Sequence, residues 1–330
     1  MILTRAPLRV SFFGGGTDIA SHYTKHDGVV LSAAIDKYMH IALNQTPINH
    51  VKLMYSEIEE VEDYRELKHD IVRNAIEHYS DRFKTGIEIA SFADIPTIGT
   101  GLGSSSTFAV ALLKALDALN MSYFMARPEL LAEWACDLEI NKCGSPIGKQ
   151  DQYAAALGGM NLIHFNRDGT VDYRRQSLIS NEAIMLEKKL MLFYTGRTRS
   201  ANAILKKQSA EPKHDILNQM ADQAMIASKY LTSYKLDDFG NLLDEAWNLK
   251  KQLAEGISDP MLDEIYEEAK KAGALGGKIL GAGGGGYFLF YVDESNQPAV
   301  IEAMHKMNLQ GFDFRFSRSG AELGYYDRRI

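Results

Sequence analysis

Three glycine-rich segments carry most of the residues whose types and spacing could do chemistry. The middle segment reads PTIGTGLGSSS over residues 96–106 and runs directly into a helical pattern. Glycines let backbone amides approach a ligand closely, and the free amides at a helix start attract anions. The three serine hydroxyls add donors and a candidate Mg²⁺ ligand. The candidate phosphate-binding residues are Gly99, Gly101, Leu102, Gly103, Ser104, Ser105 and Ser106.

The middle segment is not a Walker A loop, because no lysine follows its last glycine. A flexible loop closed by a serine cap is the alternative interpretation. Helix caps rarely need three glycines and three serines together, so we favour an anion site.

The first segment reads APLRVSFFGGGTD over residues 6–18 and runs from a strand pattern into a turn. Its end, Gly15, Gly16, Thr17 and Asp18, would present a hydroxyl and a carboxylate to the hydroxyls of a sugar. The same residues would equally form a turn with an Asx cap. Both interpretations stay open on these residues alone.

The third segment, GAGGGG at residues 281–286, formally matches the GxGxxG fingerprint. A dinucleotide fingerprint follows a strand and opens a helix, whereas here a strand pattern comes afterwards. We therefore set hydride transfer aside and expect a glycine hinge or a loop beside a phosphate. Gly283 and Gly284 are its candidate substrate contacts.

The first half of the chain must position these segments with both strands and helices. Residues 8–13, 29–34, 38–43 and 86–92 are rich in β-branched and aromatic side chains, which predicts strands. Residues 104–119 predict the clearest helix, since apolar residues recur there with the 3.6-residue period. Residues 128–140 predict a second helix, opened by Pro128.

The second half predicts further alternation of strands and helices, which indicates the α+β class with helices stacked on sheets. Strands are expected at 190–195, 287–292 and 312–317, and helices at 216–231, 241–254, 260–271 and 296–307. The polar, turn-rich stretch 166–187 marks a domain boundary. We therefore expect one domain at 1–170 and a second at 171–330.

Composition sets the class of protein. A chain of 330 residues with 45% apolar and 24% charged residues is ordinary for a globular protein of about two domains. A net charge of −7 argues against nucleic-acid binding through a basic face. Cys136 and Cys143 fit no zinc or redox spacing. Without a signal-peptide or spanning pattern, we expect a cytoplasmic protein with no membrane partner.

In this order, the three segments resemble the superfamily of galactokinase, homoserine kinase, mevalonate kinase and phosphomevalonate kinase, the GHMP kinases. The resemblance covers essentially the whole chain. It implies a two-domain fold, with an N-terminal ATP-binding domain like domain 2 of ribosomal protein S5 and a ferredoxin-like C-terminal domain. ATP, with Mg²⁺, would lie in the cleft between them.

The resemblance also implies catalytic roles. Asp151, in the stretch GKQDQ of residues 148–152, falls where the family has its catalytic aspartate; the alternative is a helix first-turn acid. Arg9 matches the basic position of the first motif and would steady Asp151 and the transferring phosphoryl, or would be a surface arginine. A helix start and nearby cations such as Lys149 favour the carboxylate form. We therefore expect Asp151 mainly to orient the hydroxyl and to accept its proton late.

Glu139 is the candidate Mg²⁺ ligand. Its spacing from Leu131 and Ala135 places the carboxylate at the end of an apolar stripe, where a helix dipole disfavours an acid. The family's metal-binding glutamate precedes a Gly-x-Pro by five residues, and the sequence Gly-Ser-Pro at 144–146 keeps that offset. Ser105 would be the second ligand, with water and phosphate oxygens completing the set.

Within the superfamily, the first segment and the GKQDQ stretch look most like kinases of D-glycero-D-manno-heptose 7-phosphate. Such an enzyme phosphorylates the anomeric hydroxyl to the 1,7-bisphosphate, for nucleotide-activated heptose and surface glycans. Galactokinases carry bulkier residues where this chain has Gly15 and Gly16. The alternatives are a kinase for an unphosphorylated sugar such as fucose, or a sugar- and ATP-binding regulator without catalysis.

Two further pairs of residues have weaker signals. Arg197 and Arg199 follow a predicted strand and would hold the sugar's own phosphate, although a solvated loop explains them as well. His22 and His26 have a spacing compatible with metal binding. No third ligand is evident, so we interpret them as surface residues.

Overall fold

The computed structural model describes residues 1–79, 86–96, 99–120, 127–198 and 201–326, which form two sheets and the helices packed on them. The strands of the first sheet are β1 (Ile2–Phe13), β2 (Gly28–Thr46), β3 (Val51–Met54), β4 (Ile58–Val61), β5 (Gly86–Ala93), β6 (Met160–Phe165), β7 (Val171–Gln176) and β12 (Glu322–Tyr326). Among these strands β3 pairs with β5 in parallel, and the other pairs are antiparallel. Residues Ala6 to Phe13 are all buried, because the sheet is covered on both faces there.

The strand β2 is one long element where the sequence predicted two, at 29–34 and 38–43. It pairs along one side with β1, and on the other side first with β6 and then with β5. The register with β1 shifts between Pro7 and Arg9, which is a bulge opposite Asp36 and Lys37. These two polar residues suggested a turn, but the chain continues through them as a strand.

Helices α1 (Ala20–His26), α2 (Asp70–Tyr79), α3 (Ser104–Asn120), α4 (Pro128–Cys136) and α5 (Gln150–Leu157) belong to the first sheet, as does a 3₁₀ turn at Tyr64–Glu66. The helix predicted at 104–119 is confirmed as α3. It is buried all round rather than along one stripe, since every residue from Ser106 to Ala118 is buried. One side of α3 packs against the sheet. Its other sides contact α2, α4 and α5.

The helix α4 ends earlier than the predicted 128–140. The chain changes at Asp137 into a π-helical turn that continues to Lys142. Such turns insert a residue into a helix and re-aim the side chains that follow. Here Leu138 and Glu139 point inward and are buried.

The second sheet has the strands β8 (Leu190–Tyr194), β9 (Ala274–Ile279), β10 (Tyr287–Val292) and β11 (Gln310–Phe312), in the order β11-β8-β10-β9 and all antiparallel. Its helices are α6 (Asn181–Lys189), α7 (Ala201–Ala210), α8 (His214–Tyr230), α9 (Leu236–Lys251), α10 (Pro260–Lys271) and α11 (Gln297–Lys306). One strand, helices, two strands, a helix and a strand follow each other in the ferredoxin-like manner. This confirms the expected architecture.

The end of the chain departs from the prediction of a strand at 312–317. Only Gln310–Phe312 pairs with β8, and Phe316 makes a single bridge to Ile35 of β2. The chain then returns to the first sheet as β12, which pairs with β1. β7 also lies in the first sheet, six residues beyond the division expected after 170. We propose to place that division after Gln176, with β12 assigned to the first part.

Aromatic side chains join the two sheets. Phe12 and Phe13 contact the ring of Phe239 in α9 edge to face, at centroid distances of 5.5 and 5.0 Å. Phe316 lies against Phe12 at 6.2 Å. These buried contacts fix the end of β1, where the first glycine segment begins. None of the described helices has both the length and the apolar composition required to cross a bilayer.

Candidate active site

A cavity of about 520 Å³ lies where the two sheets meet. Its walls come from the turn after β1, the loop before α3, the start of α5 and the loop between β9 and β10. All three glycine-rich segments therefore face one cleft, although they are far apart in the sequence. The residues predicted to bind phosphate or substrate that line it include Gly15, Gly16, Gly99, Gly101, Gly103, Ser104, Ser105, Ser106 and Gly283.

The middle and third glycine segments contact each other through their backbones. Gly101 has a φ of +81°, and a Cβ there would lie 2.3 Å from the carbonyl oxygen of Leu280. A Cβ on Gly281 would lie 2.4 Å from the Cα of Gly101. Tyr287 N–H donates to the carbonyl of Thr100, at 3.2 Å. Glycine is required here because the two segments of the backbone approach each other more closely than side chains would allow.

The start of α3 opens into the cleft with its first turn of serines. Thr107 N–H donates to the carbonyl of Gly103, so the amides before it are left outside the helical pattern, as at any helix start. Together with the helix dipole this is a suitable anion site. Leu102 does not line the cavity, so its predicted phosphate contact rests on its backbone amide alone. Its side chain is buried in the core and its carbonyl accepts the Arg9 backbone N–H, at 3.2 Å.

Arg9 and Asp151 form a two-point ion pair inside the cleft. Arg9 Nε donates to Asp151 Oδ1 and Nη2 donates to Oδ2, both at 2.7 Å. Arg9 Nη1 also donates to the carbonyl of Gly101, at 2.5 Å. The Arg9 side chain is 3% exposed and that of Asp151 is 23% exposed. The aspartate therefore faces the cavity, while the arginine behind it ties the carboxylate to the middle glycine segment through the Gly101 carbonyl.

The turn after β1 positions α5 more than it faces the cleft. Asp18 Oδ2 accepts the Gln150 backbone N–H at 3.1 Å, and Oδ1 accepts the Gly16 N–H at 2.9 Å. Asp18 thus caps the helix that carries Asp151, while it also lines the cavity. Burial, and then the charge of Asp151, raise the pKa of Asp18.

Thr17 is not available to a sugar. Its hydroxyl donates to the carbonyls of Gly14 and Val29, accepts the Val29 N–H, and is fully buried. For this residue the turn interpretation is the right one, and the predicted contact with substrate is wrong.

Ser105 and Glu139 lie together although 34 residues separate them. Ser105 Oγ donates to Glu139 Oε1 at 2.8 Å, and Gln152 Nε2 donates to Oε2 at 2.6 Å. Glu139 is 1% exposed, and burial raises the pKa of its carboxyl. The π-helical turn brings it to this position at the edge of the cleft.

The oxygen donors of Ser105 and Glu139 fit a Mg²⁺ ion. Mg²⁺ is commonly held by one or two protein oxygens together with phosphates and water. No ion pair of Glu139 with a basic side chain occurs in the described ranges. A buried carboxylate in this state gains most from a cation beside it. Among the described residues, no three acidic, histidine or cysteine side chains make a metal cage of their own.

The structure does not bring Arg197 into the cleft. Its guanidinium pairs with Asp259 at 2.9 Å and contacts the sulfur of Met261. Arg199 lies outside the described residues. Gly284 does not line the cavity either, since its N–H donates to the carbonyl of Ile257. Lys149 donates to the carbonyl of Gly169 rather than to Asp151.

The interpretation of His22 as a surface residue is wrong, because it is fully buried. Its Nδ1 lies 3.1 Å from Nδ1 of His214 at the start of α8, and its ring stacks on that of the exposed His26. Burial, and then the neighbouring histidines, lower the pKa of His22 to about 4. These rings join α1 of the first sheet to α8.

Two buried lysines in the cleft escaped the sequence analysis. Lys250 of α9 is 5% exposed and Lys278 of β9 is 2% exposed, and both line the cavity. The signal for Lys250 is its spacing, because it follows Leu243, Ala246 and Trp247 on the buried face of α9. Lys278 stands three residues before the third glycine segment, in an otherwise uncharged strand.

Polar side chains of α7 and of the segment before it complete the cleft. Thr198, Asn202 and Gln208 line it together with Ser11 and Gln150. Such a lining suits a ligand rich in hydroxyl groups. These residues carry no motif, and so the sequence alone offered no signal for them.

Comparison with known proteins identifies the family and the fold. Residues 70–159 match the GHMP kinases N terminal domain, and residues 228–308 match the GHMP kinases C terminal domain. The chain belongs to the GHMP kinase family. It is therefore a kinase that phosphorylates an alcohol group of a sugar, in a family that uses ATP as co-substrate.

Individual relatives within the family are similar to this chain over most of its length. The D-glycero-alpha-D-manno-heptose 7-phosphate kinase of Campylobacter jejuni is 30% identical, over 97% of this chain and 98% of its own length. The L-fucokinase/L-fucose-1-P guanylyltransferase of Bacteroides fragilis is 26% identical, over 90% of this chain and 35% of its own length. A crystal structure of a D-glycero-D-manno-heptose 1-phosphate kinase from Bacteroides thetaiotaomicron matches with a TM-score of 0.81, at 24% identity, covering 99% of this chain and 100% of that one. The last comparison supports the fold.

Proposed function

We propose that this kinase transfers the γ-phosphoryl group of ATP to the anomeric hydroxyl of D-glycero-D-manno-heptose 7-phosphate. The product would be the 1,7-bisphosphate, which serves nucleotide-activated heptose and surface glycan synthesis. The observation that carries the phosphotransfer chemistry is the Arg9–Asp151 pair beside the glycine loop before α3. The choice of sugar rests on similarity to the Campylobacter jejuni enzyme.

In the reaction, the sugar oxygen forms a bond to the γ-phosphorus as the bond from that phosphorus to the ADP oxygen breaks. The hydroxyl proton passes to the carboxylate of Asp151. Arg9 holds both oxygens of this carboxylate and so fixes its orientation. A loose transition state demands proton transfer only late, so orientation of the hydroxyl is its main task.

The nucleotide's phosphates would bind to the amides and hydroxyls from Gly99 to Ser106, at the start of α3. Ser105 and Glu139 would hold Mg²⁺ through their oxygens. When bound, Mg²⁺ supplies charge neutralisation to the phosphates of the nucleotide. Gln152 fixes the orientation of Glu139 through its 2.6 Å hydrogen bond.

The sugar would occupy the part of the cleft beside Gly15 and Gly16. A Cβ on Gly15 would meet Ser11 Oγ at 3.5 Å and Gln150 Nε2 at 3.6 Å. A larger side chain there would fill the space between these polar groups and the helix α7. The two glycines thus leave room for a seven-carbon sugar, with Asp18, Gln150 and Gln208 as hydroxyl partners.

A kinase for an unphosphorylated sugar such as fucose is the second candidate. The ion pair of Arg197 with Asp259 favours it, because this arginine is then not directed at a phosphate of the sugar. The similarity to the Bacteroides fragilis enzyme points the same way. A regulator without catalysis is disfavoured by the intact pairs Arg9–Asp151 and Ser105–Glu139.

The deciding experiment measures ATP consumption with sugar 7-phosphates, sugar 6-phosphates and free hexoses, and locates the new phosphate by ³¹P NMR. We expect the highest kcat/KM for heptose 7-phosphate, with the new phosphate on the anomeric oxygen. Higher kcat/KM for free fucose would replace the first candidate by the second. Nucleotide binding without turnover of any sugar would contradict both.

A further inference from the structure

Two buried lysine amino groups lie in the cleft, and neither has a counter-charge among the residues that the structure describes. Lys278 and Lys250 are almost fully buried, yet both line the cavity. Within the ranges described, neither forms an ion pair with a carboxylate. A buried charge is costly unless a partner of opposite charge compensates it. A bound anion would therefore stabilise the charged form of both lysines.

The hydrogen bonds of these lysines aim them at the cleft. Lys278 Nζ donates to the carbonyl of Phe12, at 2.8 Å. Lys250 Nζ donates to the carbonyls of Ile279 and Gly281, at 2.7 and 2.6 Å. An ammonium carries three N–H donors, so these bonds leave two on Lys278 and one on Lys250 for a ligand.

Their location is the phosphate end of the cleft. Gly281, which accepts from Lys250, packs on Gly101 of the phosphate-binding loop. The Arg9 guanidinium, which donates to Gly101, acts electrostatically on both lysines. A phosphoryl group next to Asp151 and Gly101 is thus the anion within their reach. A phosphate at the far end of the sugar would lie away from this contact between loops.

The titratable groups around the lysines do not supply the missing charge. The ionisable side chains lining the cavity are Arg9, Asp18, Glu139, Asp151, Lys250 and Lys278. Asp151 is occupied by Arg9, Asp18 by the start of α5, and Glu139 by Ser105 and Gln152. Burial, and then the charge of Arg9, lower the pKa of Lys278 to about 7. Burial, and then Lys278 and Arg9, hold the pKa of Lys250 well below its usual range.

We propose that Lys278 and Lys250 bind the terminal phosphoryl group of the nucleotide and take up protons as it binds. This inference rests on the proposed function and adds the residues that receive the transferred group's charge. An approaching phosphate stabilises the ammonium form, so a lysine that is neutral in the free enzyme becomes charged in the complex. Binding energy is then coupled to the pH of the solution.

The test is isothermal titration calorimetry of the full chain at pH 8 in buffers of different ionisation enthalpy. The probe is the ATP analogue with nitrogen in the β,γ bridge, with Mg²⁺. We expect uptake of up to about one proton for each of the two lysines, since a lysine with a pKa near 7 is mostly neutral at pH 8. AMP, which lacks the polyphosphate, should bind with no such uptake. Between pH 7.5 and 8.5 affinity for the analogue should fall by up to about tenfold for each proton taken up.

Variants assign the proton to its residue. Lys278→Met keeps the length of the side chain and removes the buried charge, so we expect it to fold. It should lose most of the proton uptake and bind the analogue roughly ten- to a hundredfold more weakly. Lys250→Met should also reduce the proton uptake and the affinity for the analogue, but by smaller amounts. Lys251→Met is the matched control, because Lys251 is next on α9 but pairs with Asp263 outside the cavity.

The outcomes separate this inference from the proposed function. Tight binding of the analogue with no proton uptake would overturn the role of the lysines and leave the kinase assignment standing. Uptake on binding of a sugar 7-phosphate alone would also overturn it, since the lysines would then serve the sugar. Absence of any nucleotide binding would overturn both. If Lys278→Met does not fold, the titration of the unaltered protein still decides.

Discussion

Asp151 is held in a geometry that suits positioning more than proton abstraction. Both of its oxygens accept from Arg9 at 2.7 Å, and Arg9 is itself buried. A carboxylate fixed in this way keeps one orientation through the reaction. Its chemistry depends on its negative charge, because the pair must remain able to accept the hydroxyl proton once the phosphoryl has moved.

Asp151→Asn should therefore keep nucleotide binding and lose turnover. We expect kcat to fall by roughly 10²–10⁴-fold, the usual contribution of a positioned acid–base group. Steady-state kinetics with calorimetric measurement of ATP affinity check this. Asp168→Asn, at an exposed acid outside the cleft, is the control. Near-normal turnover of Asp151→Asn would remove the residue from the mechanism.

Ser105→Ala should change the response to metal. Loss of one oxygen donor beside Glu139 is expected to raise the Mg²⁺ concentration for half-maximal activity several-fold, with a smaller effect on saturated turnover. A Mg²⁺ titration at fixed ATP measures it. Ser233→Ala, at an exposed serine outside the cleft, is the control. An unchanged Mg²⁺ titration for Ser105→Ala would count against this ligand assignment.

At the scale of residues, motifs in the sequence pointed to side chains that contact each other in the structure. Asp151, Arg9, Ser105 and Glu139 were named from their motifs, and the structure brings each pair into contact across more than 30 residues. No local pattern predicts those distances. Lys278 was missed because a lysine in a strand is ordinarily assigned to the surface.

At the scale of elements, two glycine loops are held against each other, and this contact can be tested directly. A Cβ on Gly101 would clash with the Leu280 carbonyl, at 2.3 Å, and would separate the loops. Gly101→Ala should lower nucleotide affinity at least tenfold and reduce the melting temperature.

Gly144→Ala is the control that separates the effect of backbone strain from the effect of a steric clash between the two loops. Gly144 also has a positive φ, +65°, but a Cβ there meets nothing within 4 Å. It should cost only the backbone strain of about 1–2 kcal/mol. Calorimetry and thermal melts measure both variants. Equal effects of the two would show that the contact between the loops is unimportant.

The helices and strands were predictable where a regular hydrophobic pattern extends along the whole element. The helices α3 and α10 and the strand β10 agree with the sequence pattern to within a residue. β2 was divided wrongly at Asp36 and Lys37, which have no register partner in β1, β5 or β6; the chain nevertheless continues through them as one strand from Gly28 to Thr46. The π-helical turn at Asp137–Lys142 leaves the apolar spacing almost unchanged, so it could not be predicted.

At the scale of the whole molecule, the two sheets are joined by buried groups that include a histidine. His22 and His214 connect α1 to α8. His22 in the folded protein has a pKa of about 4, below its ordinary value of 6.5. The unfolded chain therefore binds more protons between pH 6.5 and 4, and folding stability must fall as the pH falls through this window.

We expect His22 to account for at most about 2 kcal/mol of the stability lost between pH 7 and 5. His22→Phe should flatten this part of the pH dependence, measured by denaturant unfolding at several pH values. His305→Phe, at an exposed histidine of α11, should leave it unchanged. If His22→Phe loses as much stability on acidification as the unaltered protein, the buried imidazole is not the acid-sensitive group.

The sequence predicted two domains with a cleft between them. It did not predict that the end of the chain returns to the first sheet as β12. No property of Glu322–Tyr326 indicates that its partner is β1, because pairing across more than 300 residues leaves no local trace. The polar stretch at 166–187 predicted a domain boundary. The strand β7 within it nevertheless pairs with β6.

The pairing of Ile2 with Tyr326 places the first and last strands side by side. A short linker could join these two strands covalently, and new termini could be opened in the exposed turn at Ser56 and Glu57 between β3 and β4. Such a circularly rearranged protein should retain the cleft, because every residue that lines it lies elsewhere. It would also allow a fluorescent reporter to be inserted at that turn without disturbing the ligand.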